Sequence, residues 1–328
     1  MKRRTFIAGL GAAAWPLVAL AQQTDRIRRV GVLMSYPKDD PEGLAEMAAF
    51  RQGLVEHGWI EGHTIDIAVR WPGGNIELAE AFAKELVGLK PDVLISASTP
   101  ATAALQKEGG RIPIVFVGVS GPVEQGFVQS LARPGGNITG FSYIEASVSS
   151  KMLQLLKEID RRIVRVAVIY NPQTAPYAGM FMHSMEDSRA SLGVEVMPML
   201  VQSASEIEAG MMAFAQQPGS GLAAIPDSFM LGHRDQVTAL AARMRIPAVY
   251  GNPSFLRSGG LMVYAADPRD LIHRAAAYVD RILRGDRPAD LPVQQPTRYQ
   301  LAINIKTAKA LGLEIPPTLL ALADEVIE

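Results

Sequence analysis

Short apolar runs alternate with amphipathic stretches along nearly the whole chain, and this alternation restricts the fold more than any other feature of the sequence. Arg29–Met34 is a near-continuous apolar run, the pattern of a strand buried on both faces. A helix is expected from Pro41 to His57, with Pro41 in its first turn and Gly58 as its stop. Thr64–Trp71 reads as a second strand and Ile76–Leu89 as a second helix. Asp92–Ser96 and Ile112–Val117 read as two more strands, with a helix over 101–107 between them. Strands separated by helices of this length build parallel sheets from βαβ units. The pattern then restarts. Helices are expected over 151–159, 178–192, 206–216, 229–244 and 270–284, with strands over 164–170, 194–200, 222–225, 247–250 and 261–264. The fold class is therefore α/β: two doubly wound parallel-sheet lobes, meeting around Ile138–Ser142 just after a Pro134-Gly135-Gly136-Asn137 turn.

A chain of 328 residues is too long for one small core and suits two lobes of roughly 150 residues each. A hydrophobic content of 48% with 20% charged residues places it among ordinary globular proteins. The first 21 residues have a separate logic. Lys2, Arg3 and Arg4 precede an uncharged apolar run from Phe6 to Leu20, and Ala19-Leu20-Ala21 is a small-x-small cleavage site. The run is about 15 residues, against roughly 20 for a membrane span. It reads as an export signal cleaved near Ala21, leaving Gln22 first. Arg3-Arg4-Thr5-Phe6-Ile7 resembles the twin-arginine pattern, and an ordinary secretory signal fits as well. Without cysteine the exported chain has no disulfide and no cysteine to carry a lipid anchor, so the expected compartment is the periplasm, in solution and monomeric. The formal net charge is −1, or about −4 once Lys2, Arg3 and Arg4 are removed, which gives no footprint for nucleic acid.

Catalytic signals are scarce. The five histidines stand singly, without metal-ligand spacing, so no metal is expected. Gly118-Val119-Ser120-Gly121 lacks the second spacer of a nucleophile elbow. Gly9-Leu-Gly-Ala-Ala-Ala14 imitates a dinucleotide fingerprint inside the signal, with no strand before it. No catalytic residue and no cofactor is expected.

Binding chemistry instead collects at strand ends, where ligands of open parallel sheets sit. Ser98-Thr99-Pro100 follows a buried strand and opens a helix, with Thr99 as the expected N-cap and Pro100 at N1. Free N–H groups there, with the Ser98 and Thr99 hydroxyls, suit a carboxylate; the same segment is also simply a well-capped helix. Equivalent positions are Ser35 and Tyr36, Tyr170 and Asn171, Asp227 and Ser228, and Tyr250 and Asn252. Each taken alone fits loop capping, while together they form a ring facing a cleft. In that ring Asp227 is expected to meet an ammonium, and Tyr36, Tyr170 and Tyr250 to wall an apolar or aromatic group.

Two stretches carry a family likeness. The first is Pro113-Ile-Val-Phe116 leading through Pro122-Val123 to Gly126-Phe-Val-Gln-Ser-Leu-Ala-Arg-Pro-Gly-Gly-Asn-Ile-Thr-Gly140. The second runs from Ala277 to Asn304 (Ala277-Tyr-Val-Asp-Arg-Ile-Leu-Arg-Gly-Asp-Arg-Pro288 and onward) and continues through Lys306–Gly312 to Ile315-Pro316-Pro317. Both resemble the ABC transporter substrate-binding proteins of the tryptophan-binding type, a branch of the type I periplasmic binding proteins. The resemblance implies two lobes crossed three times by the chain, a hinge, and a cleft that closes on a small ligand. It also implies an inner-membrane ABC permease with a cytoplasmic ATPase as partner. The expected lobes are 27–140 with 265–292, and 141–264 with 293–328, hinged near Thr139–Tyr143, Gly259–Ala266 and Leu291–Gln300. Gly121 stands where the family usually has Asp, and Tyr264-Ala265 replaces a commoner Tyr-Gly. The leading expectation is an importer's receptor for an amino acid. The competing ones are an extracytoplasmic sensor for a signalling membrane protein and an exported α/β enzyme.

Overall fold

The computed structural model describes residues 26–328. The export signal expected over 1–21 lies outside the described residues.

The first lobe is built on β1 (Arg28–Leu33), α1 (Pro41–Glu56), β2 (Ile65–Arg70), α2 (Ile76–Gly88), β3 (Val93–Ser96), α3 (Thr99–Gly109), β4 (Ile114–Val119) and β5 (Ile138–Ser142). Its sheet has the order β2-β1-β3-β4-β5 and is parallel throughout. The near-continuous apolar runs follow from burial on both faces. Successive residues alternate between two cores: Val30, Val32, Ile95, Val115 and Val117 face one, while Leu33, Leu94, Ile114 and Phe116 face the other. Helices α2 and α3 cover the second face.

The second lobe continues with α4 (Ser147–Ile159), β6 (Arg165–Tyr170), α5 (Ala178–Leu192), β7 (Glu195–Leu200), α6 (Ala204–Ala215), β8 (Ser220–Ala224), α7 (Ser228–Gly232), α8 (Arg234–Arg243), β9 (Ala248–Tyr250), α9 (Ser254–Arg257) and β10 (Met262–Ala265). After α10 (Pro268–Leu283) and a 3₁₀ turn (Pro288–Asp290) come β11 (Gln300–Asn304), α11 (Ile305–Leu311), α12 (Pro317–Leu322) and β12 (Glu325–Ile327). The order β12-β11-β10-β9-β8-β6-β7 repeats the first lobe's winding, with β6 and β8 in the places of β1 and β3. The sheet is not wholly parallel, because β11 runs antiparallel to β10. The helix expected over 229–244 is two helices. Gly232 ends α7, the His233 ring binds back to the Phe229 carbonyl at 2.9 Å, and α8 begins at Arg234.

The chain passes between the lobes at 143–146, 266–267 and 295–299. α10 leaves β10 to pack on α1, β4 and β5 of the first lobe. The segment after it stays there: Val293 N–H bonds the Leu131 carbonyl, and Gln294 exchanges backbone bonds with Gly140 and Ser142. Phe141 and Ser142 thus complete the first sheet, Ala265 pairs in the second, and 293–294 belong with the first.

Candidate functional site

Both sheets direct the carboxyl ends of their strands at one cavity. From the first lobe it is lined by Ser35 and Tyr36 after β1, Ala97 and Ser98 after β3, and Val117 and Gly118 at β4. Pro226, Asp227 and Ser228 after β8 and Asn252 after β9 face them from the second. The cavity therefore spans the points where each sheet reverses its winding, between β1 and β3 and between β6 and β8.

The first-lobe wall leaves polar groups unused. Ser98, not Thr99, is the N-cap of α3, accepting from the Ala101 N–H at 3.3 Å, while its carbonyl takes the Thr102 N–H and hydroxyl. Thr99 is the first helical residue and Pro100 the second. Pro100 has no N–H and that of Ala101 is taken, so the donors α3 offers reduce to the Thr99 N–H and hydroxyls. The Thr99 hydroxyl is buried and has no partner among the described residues; the same holds for the Tyr143 hydroxyl, on the cavity wall just past β5. Tyr36 is buried and its hydroxyl donates to Glu46 at 2.7 Å. Glu46, on α1, also lines the cavity, and burial pushes its carboxyl up to about 8.

The second-lobe wall is largely satisfied from within. Asp227 caps α7 through the Phe229 N–H at 2.9 Å, accepts the Asn171 N–H at 2.7 Å and takes the Thr174 hydroxyl. Burial still pushes its carboxyl up to about 6, against these donors. These three bonds leave Asp227 one acceptor position, on Oδ2. The Asn252 side chain caps the Ser254 N–H at 2.9 Å, and Tyr177 donates to the Pro226 carbonyl at 2.5 Å. The Ser228 hydroxyl is the exception, buried without a partner among the described residues.

Of the ten residues expected at the site, Ser35, Tyr36, Ser98, Asp227, Ser228 and Asn252 line the cavity, while the buried Thr99 does not. Tyr170, Asn171 and Tyr250 do not line it. Tyr250 turns into the core, stacked on Phe255 at 4.6 Å and seated over Gly260, where any Cβ would strike its ring. Tyr170 packs half-buried against the core, and Asn171 is spent on Asp227 and on the Gln173 N–H. The aromatic wall is instead Tyr36, Tyr143 and Tyr177. Tyr143 was findable, since it follows a strand by the same rule that selected the others. Tyr177 lies before α5 with no comparable signal. Glu46 betrays itself as an acid set into the buried stripe of Gly43, Met47, Phe50 and Leu54. Neither Gly121 nor Ala265 lines the cavity. Gly121 has φ +62°, and a side chain there would meet Met180 of α5 at 2.9 Å.

The rim joins the lobes. Asp40, the N-cap of α1, pairs with Arg234 at 2.5 Å with both side chains nearly buried. Glu42 is held by Arg257 across the gap and by Arg269 at 3.0 Å. At Gly74 (φ +81°) the backbones approach so closely that a Cβ would sit 2.5 Å from the Ser228 carbonyl oxygen.

The family described as ABC transporter substrate binding protein matches residues 34–327. The chain belongs to this family. It is 25% identical over 295 residues to a tyrosine-binding protein of Clostridioides difficile (strain R20291), covering 89% of this chain and 84% of that one. Among solved structures it is similar to a conserved domain protein from Vibrio cholerae, at 28% identity and a TM-score of 0.84 over 92% of this chain and 100% of that one. An ABC domain from Streptococcus pneumoniae in complex with L-Trp shares the fold at 22% identity, with a TM-score of 0.82 over 92% and 100%. This is a solute-binding family, whose members take small molecules. Among the described residues, no group of three or more His, Asp or Glu is placed to hold a metal, and no helix is long and apolar enough to cross a membrane.

Proposed function

We propose that this chain is the extracytoplasmic receptor of an ABC importer and captures an amino acid with an aromatic side chain between its two lobes. The observation that carries this reading is the convergence of unspent polar groups from strand ends on one cavity walled by three tyrosines. The ligand carboxylate docks at the start of α3, on the Thr99 N–H and the Ser98 and Thr99 hydroxyls. The helix dipole adds roughly 0.3–1 kcal/mol for an anion there, or up to about 2 kcal/mol when partly buried. The ring lies among Tyr36, Tyr143 and Tyr177. The tyrosine-binding relative and the L-Trp complex point to the same ligand class.

The lobes in this reading are 28–142 with 267–294, and 143–266 with 295–328, closing about the three crossings. The expected export signal delivers the protein to the periplasm, monomeric and without a lipid anchor, where it loads a permease driven by a cytoplasmic ATPase. It is not an enzyme. Native mass spectrometry of the purified protein tests the reading. A bound mass that matches an amino acid and is displaced by L-tyrosine or L-tryptophan is expected. A bound sugar or dicarboxylate, with no displacement by either, would overturn it.

A further inference from the structure

Two acids line the cavity, Glu46 and Asp227, and neither is paired with a cation among the described residues. Glu46 lies on the buried face of α1, 5% exposed, with its carboxyl on the cavity wall. Oε1 accepts the Tyr36 hydroxyl, and Oε2 makes no hydrogen bond among the described residues. No Lys, Arg or His among them lies within 4.0 Å of that carboxyl. Glu42, one turn earlier on the same face, shows the contrast: Arg257 and Arg269 both hold it. The rim cations are therefore spent one turn short of Glu46. Beside it the Tyr143 hydroxyl is also unpartnered. Across the cavity Asp227, the other acid, already accepts from three internal donors.

We propose that Glu46 is the counter-charge for a ligand ammonium, which restricts the cavity to amines and amino acids and excludes neutral polyols and dicarboxylates. The inference rests on the cavity being the ligand site and specifies what that site selects. A buried carboxylate without a cation is too costly to persist, so the empty site keeps Glu46 protonated. Burial pushes it up to about 8. The Tyr36 hydrogen bond and Arg269 work against this rise, and Glu42 and Asp267 add to it. Tyr143, past β5, and Ser254, on α9, are the remaining polar groups facing this pair. An arriving ammonium supplies the missing cation. The Glu46 proton then leaves for solvent, and the ammonium keeps all of its own. Binding at pH 7 thus releases close to one proton per ligand.

The test is calorimetric titration of L-tryptophan and of its des-amino analogue 3-indolepropionate, at pH 6 and pH 7, in two buffers of different ionisation enthalpy. Wild-type protein is expected to bind L-tryptophan about 10-fold more tightly at pH 7 than at pH 6 with proton release, and 3-indolepropionate without either. Glu46→Gln, which retains the Tyr36 hydrogen bond, is expected to bind L-tryptophan about 10- to 100-fold more weakly and to leave 3-indolepropionate unchanged. Glu46→Asp should recover part of the loss. PH-independent L-tryptophan binding by wild type, or undiminished binding by Glu46→Gln, would overturn the inference and leave the cavity reading standing. Wild-type protein that binds neither compound nor L-tyrosine would overturn the amino-acid reading itself, and this inference with it.

Discussion

The two walls of the cavity use the same kinds of side chain to opposite ends. On the second-lobe wall, Asp227, Asn252 and Tyr177 spend their polar atoms on loop and helix termini of their own lobe. On the first-lobe wall Glu46 keeps an acceptor without a partner, and Tyr143, in the crossing just past β5, keeps its hydroxyl without one. Buried polar groups are normally satisfied, so a cluster of exceptions at one cavity marks where a ligand supplies the partner. In the proposed reading the first wall carries the free carboxylate acceptor, while the second mostly holds its own shape, with only the Ser228 hydroxyl left over. An acid on a binding surface is therefore no guide to its role until its existing bonds are counted.

The largest expected effect comes from the rim that joins the walls. Arg234→Ala leaves Asp40 buried without its cation, a cost of about 3–5 kcal/mol to the joined form. The lobes should then part. Small-angle scattering should give a larger radius of gyration without ligand, and L-tryptophan should bind about 100-fold more weakly or worse. An unchanged radius and affinity would show that the rim pair does not couple the walls.

Next is the pH dependence carried by the recognising wall. The folded Glu46 carboxyl is raised to about 8 from 4.5, so the folded state binds more protons than the unfolded chain. The stability it allows is complete below pH 4.5 and falls as pH rises towards 8. Relative to Glu46→Gln, wild type should lose on the order of 3 kcal/mol by pH 7. Urea unfolding of both proteins between pH 5 and pH 8 measures this difference, and parallel curves would contradict it.

The self-satisfied wall should respond in stability rather than recognition. Asp227→Ala removes a cap and strands the buried Asn171 N–H, at a cost of about 2–3 kcal/mol in urea unfolding. Its L-tryptophan affinity should fall less than that of Glu46→Gln. A larger affinity loss at Asp227 would reverse the roles assigned to the walls. The smallest expected effect is Thr99→Val, which removes a hydroxyl with no internal partner. Stability should change by less than about 0.5 kcal/mol, while affinity for a carboxylate ligand drops about 5-fold, read by calorimetry.

The sequence made the lobes legible because parallel strands are buried on both faces and leave apolar runs too dense to miss. Arg165–Tyr170 and Val93–Ser96 are strands within a residue of where periodicity puts them. The antiparallel return of β11 was not legible, since Gln300–Asn304 has the same apolar character whichever way it runs. Strand-end polarity found six cavity-lining residues, because backbone topology alone sends those positions to the cavity mouth. It failed at Tyr250, where the orientation depends on the space over Gly260. Such outcomes depend on partners distant in sequence, which no local pattern encodes. Glu46 was visible as a charge in an apolar helix stripe, yet only the fold shows that the stripe borders a cavity.

The most direct test of an amino-acid site between the two walls is a crystal structure of the protein grown with L-tryptophan. The expected complex has the carboxylate on the Thr99 N–H, the ammonium on Glu46 and the indole among Tyr36, Tyr143 and Tyr177. A cavity left empty at saturating L-tryptophan, or the ligand bound outside the space between the lobes, would contradict it.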